Sequence, residues 1–427
     1  MIERIKSALE RCGVAMWRIN ETVEETAELF FVKRQLDTRR SKDVRKYDVT
    51  VFRDVEDPEG GKPARGFTSV RLIASMDDAR LDEELKGAYY AARFAANPYF
   101  DLPDPVQAPM AQKTGELAEA PLARSAGRMV KALFAPDTHQ DAFVNSAELF
   151  VSRSSHHILS SEGTDAAYVD ARVNGEFVVQ CREPEDVELH GAFEYDQLDE
   201  QALSDKVAEA LSFVRDRARA QKALASGKYD LVLSGNAVAE VLSYYVSRSS
   251  ASSVYARYST WKQGEDVQGE TTGERLSLTL RATVPYSMEG IPMADLPVLE
   301  NGRLNAYHGP NRFCRYLNVK PTGFYEKFSC GNGSVPFETL KKAPCLWAVT
   351  FSDFQMDAMS GHFSGEIRLA YLIEDGKTIP ITGGSVNGSI LEAQKDLTFS
   401  AERYLTAQYD GPYAVRMKGI SIAGPGE

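Results

Sequence analysis

The segment that decides the fold is Tyr229–Ser247, YDLVLSGNAVAEVLSYYVS, which predicts a short strand, a turn at Gly235 and an amphipathic helix. At about 100° per residue, the apolar side chains of this helix fall on one arc and the polar side chains on the opposite face. The polar face carries a single acid, Glu240, with Ala239 and Tyr244 flanking it. The helix contains no histidine, so it has no imidazole to offer a catalytic metal.

The segments on either side of this helix predict a mixed α+β chain. Residues 1–96 run in the order helix, three strands (the first over Thr26–Leu36), helix, which indicates an N-terminal α+β domain with a mostly antiparallel sheet. Residues 97–114 contain four prolines and little periodicity, which is typical of a linker. Residues 115–226 predict a middle region of strands and helices, with strands near Ala147–Ser152 and His157–Leu159.

Short strands and glycine turns dominate the last part of the sequence. They predict a β-rich C-terminal domain over residues 227–427. Within it, the serine-rich stretch 247–253 is interpreted as a loop.

The composition is that of a globular protein with an acidic balance. The 427 residues are 43% hydrophobic, and 49 Lys plus Arg stand against 61 Asp plus Glu, which gives a formal net charge of −12. Because nucleic acids are polyanions bound through clustered cations, this balance argues against a nucleic-acid partner. The basic run Arg39–Lys46 is interpreted as a solvated face. No stretch has the apolar length of a signal peptide or a membrane span, which predicts a cytoplasmic protein without membrane partners.

The cysteines and histidines form no recognisable metal or catalytic pattern. The five cysteines are scattered without a CxxC pair, which predicts structural, reduced thiols. His156 and His157 are adjacent in a predicted strand, so their side chains point to opposite faces and cannot readily share a metal. The other histidines are isolated in sequence. The residues alone therefore predict an acidic α+β protein without an obvious active site.

Six motifs in a fixed order carry more information together than separately. They are GKYDLVLS (227–234), YSMEGIP (286–292), LENGRL (299–304), GHFSGE (361–366), AYLIEDGK (370–377) and KGISIAG (418–424). In this order and spacing, they resemble the TldD/PmbA (TldE) family. The resemblance extends over almost the whole chain, although the N-terminal region fits the family less specifically.

The resemblance has a direct implication for the helix with Glu240. In the peptidase branch of the family this helix carries HExxxH, and a cysteine near the carboxyl terminus completes the zinc site. The six corresponding residues here, Ala239–Tyr244, retain only the acid, and the last cysteine is Cys345. A catalytic zinc needs three protein ligands beside an open water position. The resemblance therefore implies that this chain alone has no metal, no cofactor and no catalytic residue, and that Glu240 is a solvated acid.

The function that the resemblance implies depends on a partner. The chain would be a TldE-like, non-catalytic subunit, and a TldD-like subunit carrying HExxxH would hold the zinc. Such a heterodimeric metalloprotease would cleave unfolded or extended peptides, in peptide maturation or in small-protein degradation. The β-rich domain could bind such a peptide by strand addition.

Three alternatives remain open. The chain could be a partner-independent peptide-binding or scaffold protein, acting as a homodimer. It could be an enzyme with metal-independent chemistry that uses Glu240 and Tyr244, which stand four residues apart on the helix. An association with DNA gyrase, historically linked to the family, is disfavoured by the acidic charge. Met288, which replaces an acid of the family's turn, indicates a diverged member dedicated to one peptide system.

Overall fold

The computed structural model describes residues 1–56, 60–221, 224–342 and 344–424. The first half of the chain contains five helices and seven strands in the described residues. They are α1 (Ile2–Arg11), β1 (Met16–Val32), β2 (Gln35–Glu56), β3 (Pro63–Ile73), α2 (Asp78–Ala92), β4 (Asn97–Pro98), α3 (Glu116–Glu119), α4 (Leu122–Phe134), β5 (Ala142–Ser160), β6 (Asp165–Cys181), β7 (Val187–Tyr195) and α5 (Glu200–Ala218).

The second half is richer in short strands. Its elements are β8 (Gly227–Ser234), α6 (Asn236–Arg248), α7 (Ala251–Tyr255), β9 (Leu278–Arg281), β10 (Leu296–Glu300), β11 (Arg303–Leu304), α8 (Asn311–Tyr316), β12 (Lys327–Cys330), α9 (Phe337–Leu340), β13 (Cys345–Met356), β14 (His362–Glu374), β15 (Lys377–Ile381), β16 (Ser385–Ser389), α10 (Ile390–Ala393), a 3-10 turn (Gln394–Asp396), β17 (Thr398–Phe399), β18 (Arg403–Leu405), β19 (Tyr409–Pro412) and β20 (Ala414–Ala423).

A seven-stranded antiparallel sheet in the order β4-β3-β2-β1-β5-β6-β7 spans the first half. Two helix pairs cover separate parts of it: α1 and α2 share a core with β1–β3, and α4 and α5 share one with β5–β7. The N-caps Asp77 and Asp199 fix where α2 and α5 begin, since each carboxylate accepts a hydrogen bond from a backbone N–H three residues on.

The C-terminal half contains a closed ring of strands. The pairing runs β13-β8-β20-β16-β14 and returns from β14 to β13, and only the contact between β8 and β13 is parallel. A second sheet, β11-β10-β9-β12-β19-β18, packs beside it. One apolar core joins the ring, α6 and this second sheet. The ring therefore supplies a rigid base for α6.

The predicted fold class is confirmed: an N-terminal antiparallel sheet with helices precedes a β-rich C-terminal part. The predicted domain boundaries remain predictions, but the first sheet takes strands from both sides of residues 97–114. Residues 425–427 of the predicted C-terminal domain lie outside the described residues. No helix in the described ranges is both long enough and apolar enough to cross a lipid bilayer.

Three local predictions were wrong, among them the two separate strands near Ala147–Ser152 and His157–Leu159, which form one strand, β5. The segment Thr26–Leu36 is not one strand, because Lys33 takes a positive φ of 54° and turns the chain from β1 into β2. The serine-rich stretch 247–253 is not a loop: α6 runs to Arg248 and α7 begins at Ala251. Serine is only a weak helix breaker, and the buried Ala251 packs against Gly309, which favours helix here.

Candidate functional site

Helix α6 leaves the ring through a single glycine. Gly235 has φ 62° and ψ −133°, a conformation that is essentially restricted to glycine. Its N–H donates to the carbonyl of Tyr413 at 2.8 Å, which ties the turn to the strand region beside it. The sharp turn aims the start of α6 into a cleft between the two halves of the molecule.

The cleft has a volume of about 480 Å³. Its walls come from β6, β7 and α5 on one side and from the β8–α6 turn, β13 and the β18–β19 region on the other. The lining residues that the argument below uses are Phe177, His190, Ala192, Lys206, Glu209, Phe213, Asn236, Glu240, Thr350, Phe351, Phe354, Tyr404 and Tyr413. Of the three positions predicted for the site, Ala239, Glu240 and Tyr244, Glu240 is the one that lines the cleft.

The carboxylate of Glu240 is partly buried and has a defined partner. Its Oε1 accepts a hydrogen bond from the backbone N–H of Met356 in β13, at 3.1 Å. At the end of β13, the N–H of Asp357 bonds to the carbonyl of His362, so the N–H of Met356 points away from β14 and belongs to the backbone groups that need partners from elsewhere. Glu240 supplies one of them, so it is not simply the solvated acid that the sequence suggested.

The two positions that flank Glu240 carry no metal ligand. Ala239 presents a methyl group that packs against the core of the C-terminal half. Tyr244 is only 2% exposed; its ring meets those of Trp261 and Tyr245 edge-on, at 5.8 and 5.3 Å between centroids. Burial raises the pKa of the Tyr244 phenol, so it stays neutral. A methyl group and a buried neutral phenol do not fit zinc.

The burial of Tyr244 also bears on the alternative in which it works with Glu240. The helical wheel placed Tyr244 at the border of the polar face, whereas the structure buries it with Val241 and Tyr245. The Glu240 carboxylate instead bonds to the backbone of β13. Tyr244 therefore packs in the core, whereas Glu240 bonds to β13 at the cleft.

Several polar residues of the cleft were missed by the sequence reasoning. Lys206 Nζ donates to Tyr404 Oη at 2.8 Å, and Tyr404 Oη donates to Asn236 Oδ1 at 2.9 Å. Tyr413 Oη donates to Glu209 Oε1 at 2.7 Å, and burial and this carboxylate raise the pKa of Tyr413. These pairs join α5 to residues about 200 positions later in the chain, so no local sequence pattern marks them.

The histidines are dispersed, as their spacing indicated. His156 stacks on Tyr168 with 4.7 Å between ring centroids, whereas His157 Nε2 lies 2.8 Å from Asp165, on the opposite face of β5. His308 is buried, and its Nε2 donates to the carbonyl of Val246 at 2.9 Å. Within the described ranges, no three His, Cys, Asp or Glu side chains are grouped as metal ligands would be.

The five cysteines are free thiols, and four of them are buried. Burial raises the pKa of Cys314 to about 11 and that of Cys330 to about 12, so both stay protonated. Cys345, at the start of β13, packs in a small cluster with Val232 and Leu340 and does not line the cleft.

The motif Tyr286–Pro292 joins the two halves of the molecule. Asn20 Nδ2 of β1 donates to the carbonyl of Met288 at 3.0 Å, and Arg18 Nη1 lies 3.9 Å from Glu289 Oε1. The other oxygen of Glu289 accepts from the N–H of Asn311, at the start of α8. Met288 therefore lies in a turn that contacts the first sheet, and it takes part through its main-chain carbonyl, which accepts the hydrogen bond from Asn20.

Comparison with known families identifies the second half of the chain. Residues 226–424 match the family model described as the PmbA/TldA metallopeptidase C-terminal domain. This range contains the ring, α6 and the sheet that packs beside it.

Solved structures share the fold over the whole chain. TldE from Thermococcus kodakarensis superposes with a TM-score of 0.78 at 15% identity, covering 99% of this chain and 100% of its own. A proposed modulator of DNA gyrase from Thermotoga maritima gives 0.77 at 16% identity, covering 99% of each chain. A proposed gyrase modulator from Bacteroides thetaiotaomicron gives 0.79 at 15% identity, covering 99% of this chain and 98% of its own. At such identities, the likeness establishes the fold.

Proposed function

We propose that this chain, whose residues 226–424 match the PmbA/TldA metallopeptidase C-terminal domain, is a member of the TldD/PmbA family and a non-catalytic, TldE-like subunit of a zinc metalloprotease. A TldD-like partner with HExxxH would hold the zinc and cleave the peptide bond. The substrate would be an unfolded or extended peptide, in peptide maturation or small-protein degradation.

The observation that carries the proposal is the chemistry of α6 at the cleft. Its candidate positions offer a methyl group at Ala239, a buried phenol at Tyr244, and a carboxylate at Glu240 that is bonded to the backbone of β13. Catalytic zinc sites in peptidases are built from three protein ligands, mainly imidazoles completed by a carboxylate or a thiolate, with one coordination position left for water. Without them, Glu240 has no metal-bound water to deprotonate. The fold is retained while the donors are absent, which favours a role in assembly over a role in bond cleavage.

The test is reconstitution with a partner. The chain is co-expressed with a TldD-like protein that carries HExxxH, and each chain is also purified alone. We expect the two chains to co-purify, the complex to hydrolyse an unstructured peptide, and a chelator to abolish that activity. Zinc should be found in the complex and in the purified partner, but not in this chain purified alone.

The matched control is a partner whose HExxxH histidines are replaced by alanine, which should give an inactive complex. Hydrolysis by the purified chain in the presence of a chelator would overturn the proposal. So would a chain that forms only homodimers in the presence of the partner, since that outcome supports a scaffold role instead.

A further inference from the structure

Strand β7 forms one edge of the first sheet, and among the strands of the described residues it pairs with β6 alone. Two of its carbonyl groups accept hydrogen bonds from outside the sheet. Arg217 of α5 donates to the carbonyl of Glu188, and the N–H of Ala407 donates to the carbonyl of Glu194 at 3.1 Å. Because main-chain groups two residues apart point the same way in a strand, Glu188, His190, Ala192 and Glu194 all direct their N–H and C=O groups away from β6.

The outward main-chain groups between the two bonded carbonyls, those of Glu188 and Glu194, face the cleft. His190 and Ala192 are exposed and line it. In the part of the chain that the structure describes, no residue bonds to their outward N–H and C=O groups. The edge of β7 therefore offers two donors and two acceptors to whatever occupies the cleft, over a window of residues 189–193. Unpaired strand edges of this kind pair readily with an added strand.

The walls of the cleft are apolar and aromatic. Six aromatic residues line it: Phe177, Phe213, Phe351, Phe354, Tyr404 and Tyr413. The hydroxyl of Thr350 is also on this wall and is buried without a hydrogen-bond partner.

The ionisable side chains that line the cleft already hold hydrogen bonds. His190 bonds to Glu176 at 3.2 Å, and Lys206 bonds to Tyr404. Glu209 and Glu240 accept from Tyr413 and from the backbone of Met356. Six aromatic rings form much of the remaining wall, so apolar ligand side chains gain by leaving water there. The cleft therefore favours a ligand with apolar side chains that is recognised through its backbone.

We propose that the cleft binds an extended peptide segment with largely apolar side chains, which adds to the edge of β7 at His190–Ala192 as a short strand. The inference deepens the proposed function and rests on it only for the source of the peptide. Main-chain hydrogen bonds give such strand addition its affinity, and the aromatic walls accept alternate side chains. A volume of about 480 Å³ lies within the usual range for ligand pockets. The non-catalytic subunit would thus hold substrate itself.

The test uses the full purified chain without a partner. The probe is an end-capped, fluorescent nine-residue peptide of Leu, Phe, Ser and Gly, and binding is followed by fluorescence anisotropy. A second peptide carries N-methyl groups on its five central amides, which removes the donors but keeps the side chains. We expect the parent peptide to bind and the methylated peptide to bind at least tenfold more weakly. Equal binding of the two peptides, or no binding of the parent peptide at 1 mM, would overturn the inference.

Two variants locate the site on the chain. Ala192→Pro removes the outward N–H and places a ring at the edge, a change that edge strands tolerate, whereas Ala192→Thr keeps the N–H. We expect A192P to weaken binding at least tenfold and A192T to weaken it far less, because the larger side chain narrows the cleft but the N–H remains. Unchanged binding to a folded A192P would refute the site. If A192P does not fold, the methylated peptide still decides the question on the unmodified chain.

The two proposals can fail separately. A complex that is active with a partner, while the chain alone does not bind the peptide, refutes the β7 site and leaves the proposed function standing. A chain that binds the peptide through its backbone but never associates with a HExxxH partner refutes the proposed function and supports the β7 site.

Discussion

Glu240 in α6 and Met356 in β13 are joined by a hydrogen bond, in which the backbone N–H donates to the carboxylate Oε1 over 3.1 Å. The single acid of α6 therefore ties the helix to the strand across from it. Hydrogen bonds to charged groups are among the stronger ones in proteins.

Replacing Glu240 should affect stability more than catalysis. Glu240→Gln keeps an acceptor oxygen and should change the free energy of unfolding little, whereas Glu240→Ala should lower it by about 1–2 kcal/mol. Thermal and denaturant unfolding of both variants measure this difference. The peptidase activity of the complex with a HExxxH partner should be unchanged in E240Q. A large loss of that activity in a folded E240Q would mean that the carboxylate acts in the reaction.

Placing histidines at positions 239 and 244 should not create a zinc site. Position 244 faces Trp261 in the core. In the double variant Ala239→His/Tyr244→His, the histidine at position 244 would therefore point away from the cleft. We expect far less than one equivalent of zinc after dialysis, measured by elemental analysis. Tyr244→His alone should lower stability by about 2–4 kcal/mol through lost packing. Tyr258→His, at a tyrosine that is 57% exposed, is the control with little expected effect. Stoichiometric zinc in the double variant would contradict the geometry.

His308 should make the fold less stable in mild acid. Burial lowers its pKa and outweighs the opposing effect of its bond to the Val246 carbonyl. The unfolded chain then takes up a proton more readily, below a pKa of about 6.5. The stabilising contribution is therefore present above that pH and is lost as the pH falls. The free energy of unfolding should drop between pH 7 and 5, and less steeply in His308→Gln, which retains a side-chain donor. Identical slopes would rule out His308 as the cause, leaving His156, whose pKa burial also lowers.

Arg172 holds a charge cluster between the two halves of the molecule. Its guanidinium pairs with Asp170 at 2.8 Å, with Glu194 at 3.1 Å and with Glu326 at 2.6 Å. Arg172→Met leaves these carboxylates without their main counter-ion and should cost about 3 kcal/mol, measured by denaturant unfolding. Arg71→Met breaks one exposed pair with Asp48 and should cost less than about 1 kcal/mol. Equal losses in the two variants would argue against a cooperative cluster.

Asp170, in the same cluster, gives a separate prediction in acid. Burial pushes its pKa upward, but Lys113 and Arg172 more than offset this effect, so its pKa is lowered overall. Its contribution to stability is present above the unfolded-state pKa of about 3.9 and is lost as the pH falls further. Between pH 5 and 3, the wild type should therefore lose more stability than Asp170→Asn. A D170N variant with the same pH dependence would show that another group dominates in that range.

A glycine under an aromatic ring gives the sharpest steric prediction. A Cβ at Gly191 would lie 2.5 Å from a ring carbon of Phe177, its cross-strand partner. Gly191→Ala should therefore destabilise the protein by about 1–3 kcal/mol. Gly87→Ala, in α2 with nothing near its Cβ, should instead stabilise it by about 0.5–1 kcal/mol. A lower melting temperature for G191A and a higher one for G87A would confirm both predictions. A higher melting temperature for G191A would show that Phe177 can move aside.

The sequence predicted those features of the fold that arise from local patterns. The β8–Gly235–α6 unit, for example, has the residue signatures of its strand, turn and helix close together in the chain. The strand β5 was expected as two pieces, because its polar run around Arg153 breaks the apolar alternation; pairing with β1 and β6 on both sides keeps it continuous.

The candidate site was less predictable for a physical reason. Glu240 was identified, but its partner is a backbone N–H, which no side-chain pattern reveals. The pairs Lys206–Tyr404 and Glu209–Tyr413 depend on α5 packing against the C-terminal half. The free edge of β7 is a property of which strands are neighbours, so only the folded topology discloses it.

The position of β20 in the ring has a consequence for biosynthesis. This strand lies between β8 and β16, both of which precede it in the chain, and it bonds to each of them. Until residues 414–423 leave the ribosome, the ring remains split, with two open edges facing each other. The first sheet is complete by Tyr195 and can form during translation, whereas the helix that bears Glu240 acquires its finished base only when β20 is inserted. Closing the ring is therefore a late step that follows the synthesis of every other strand in it.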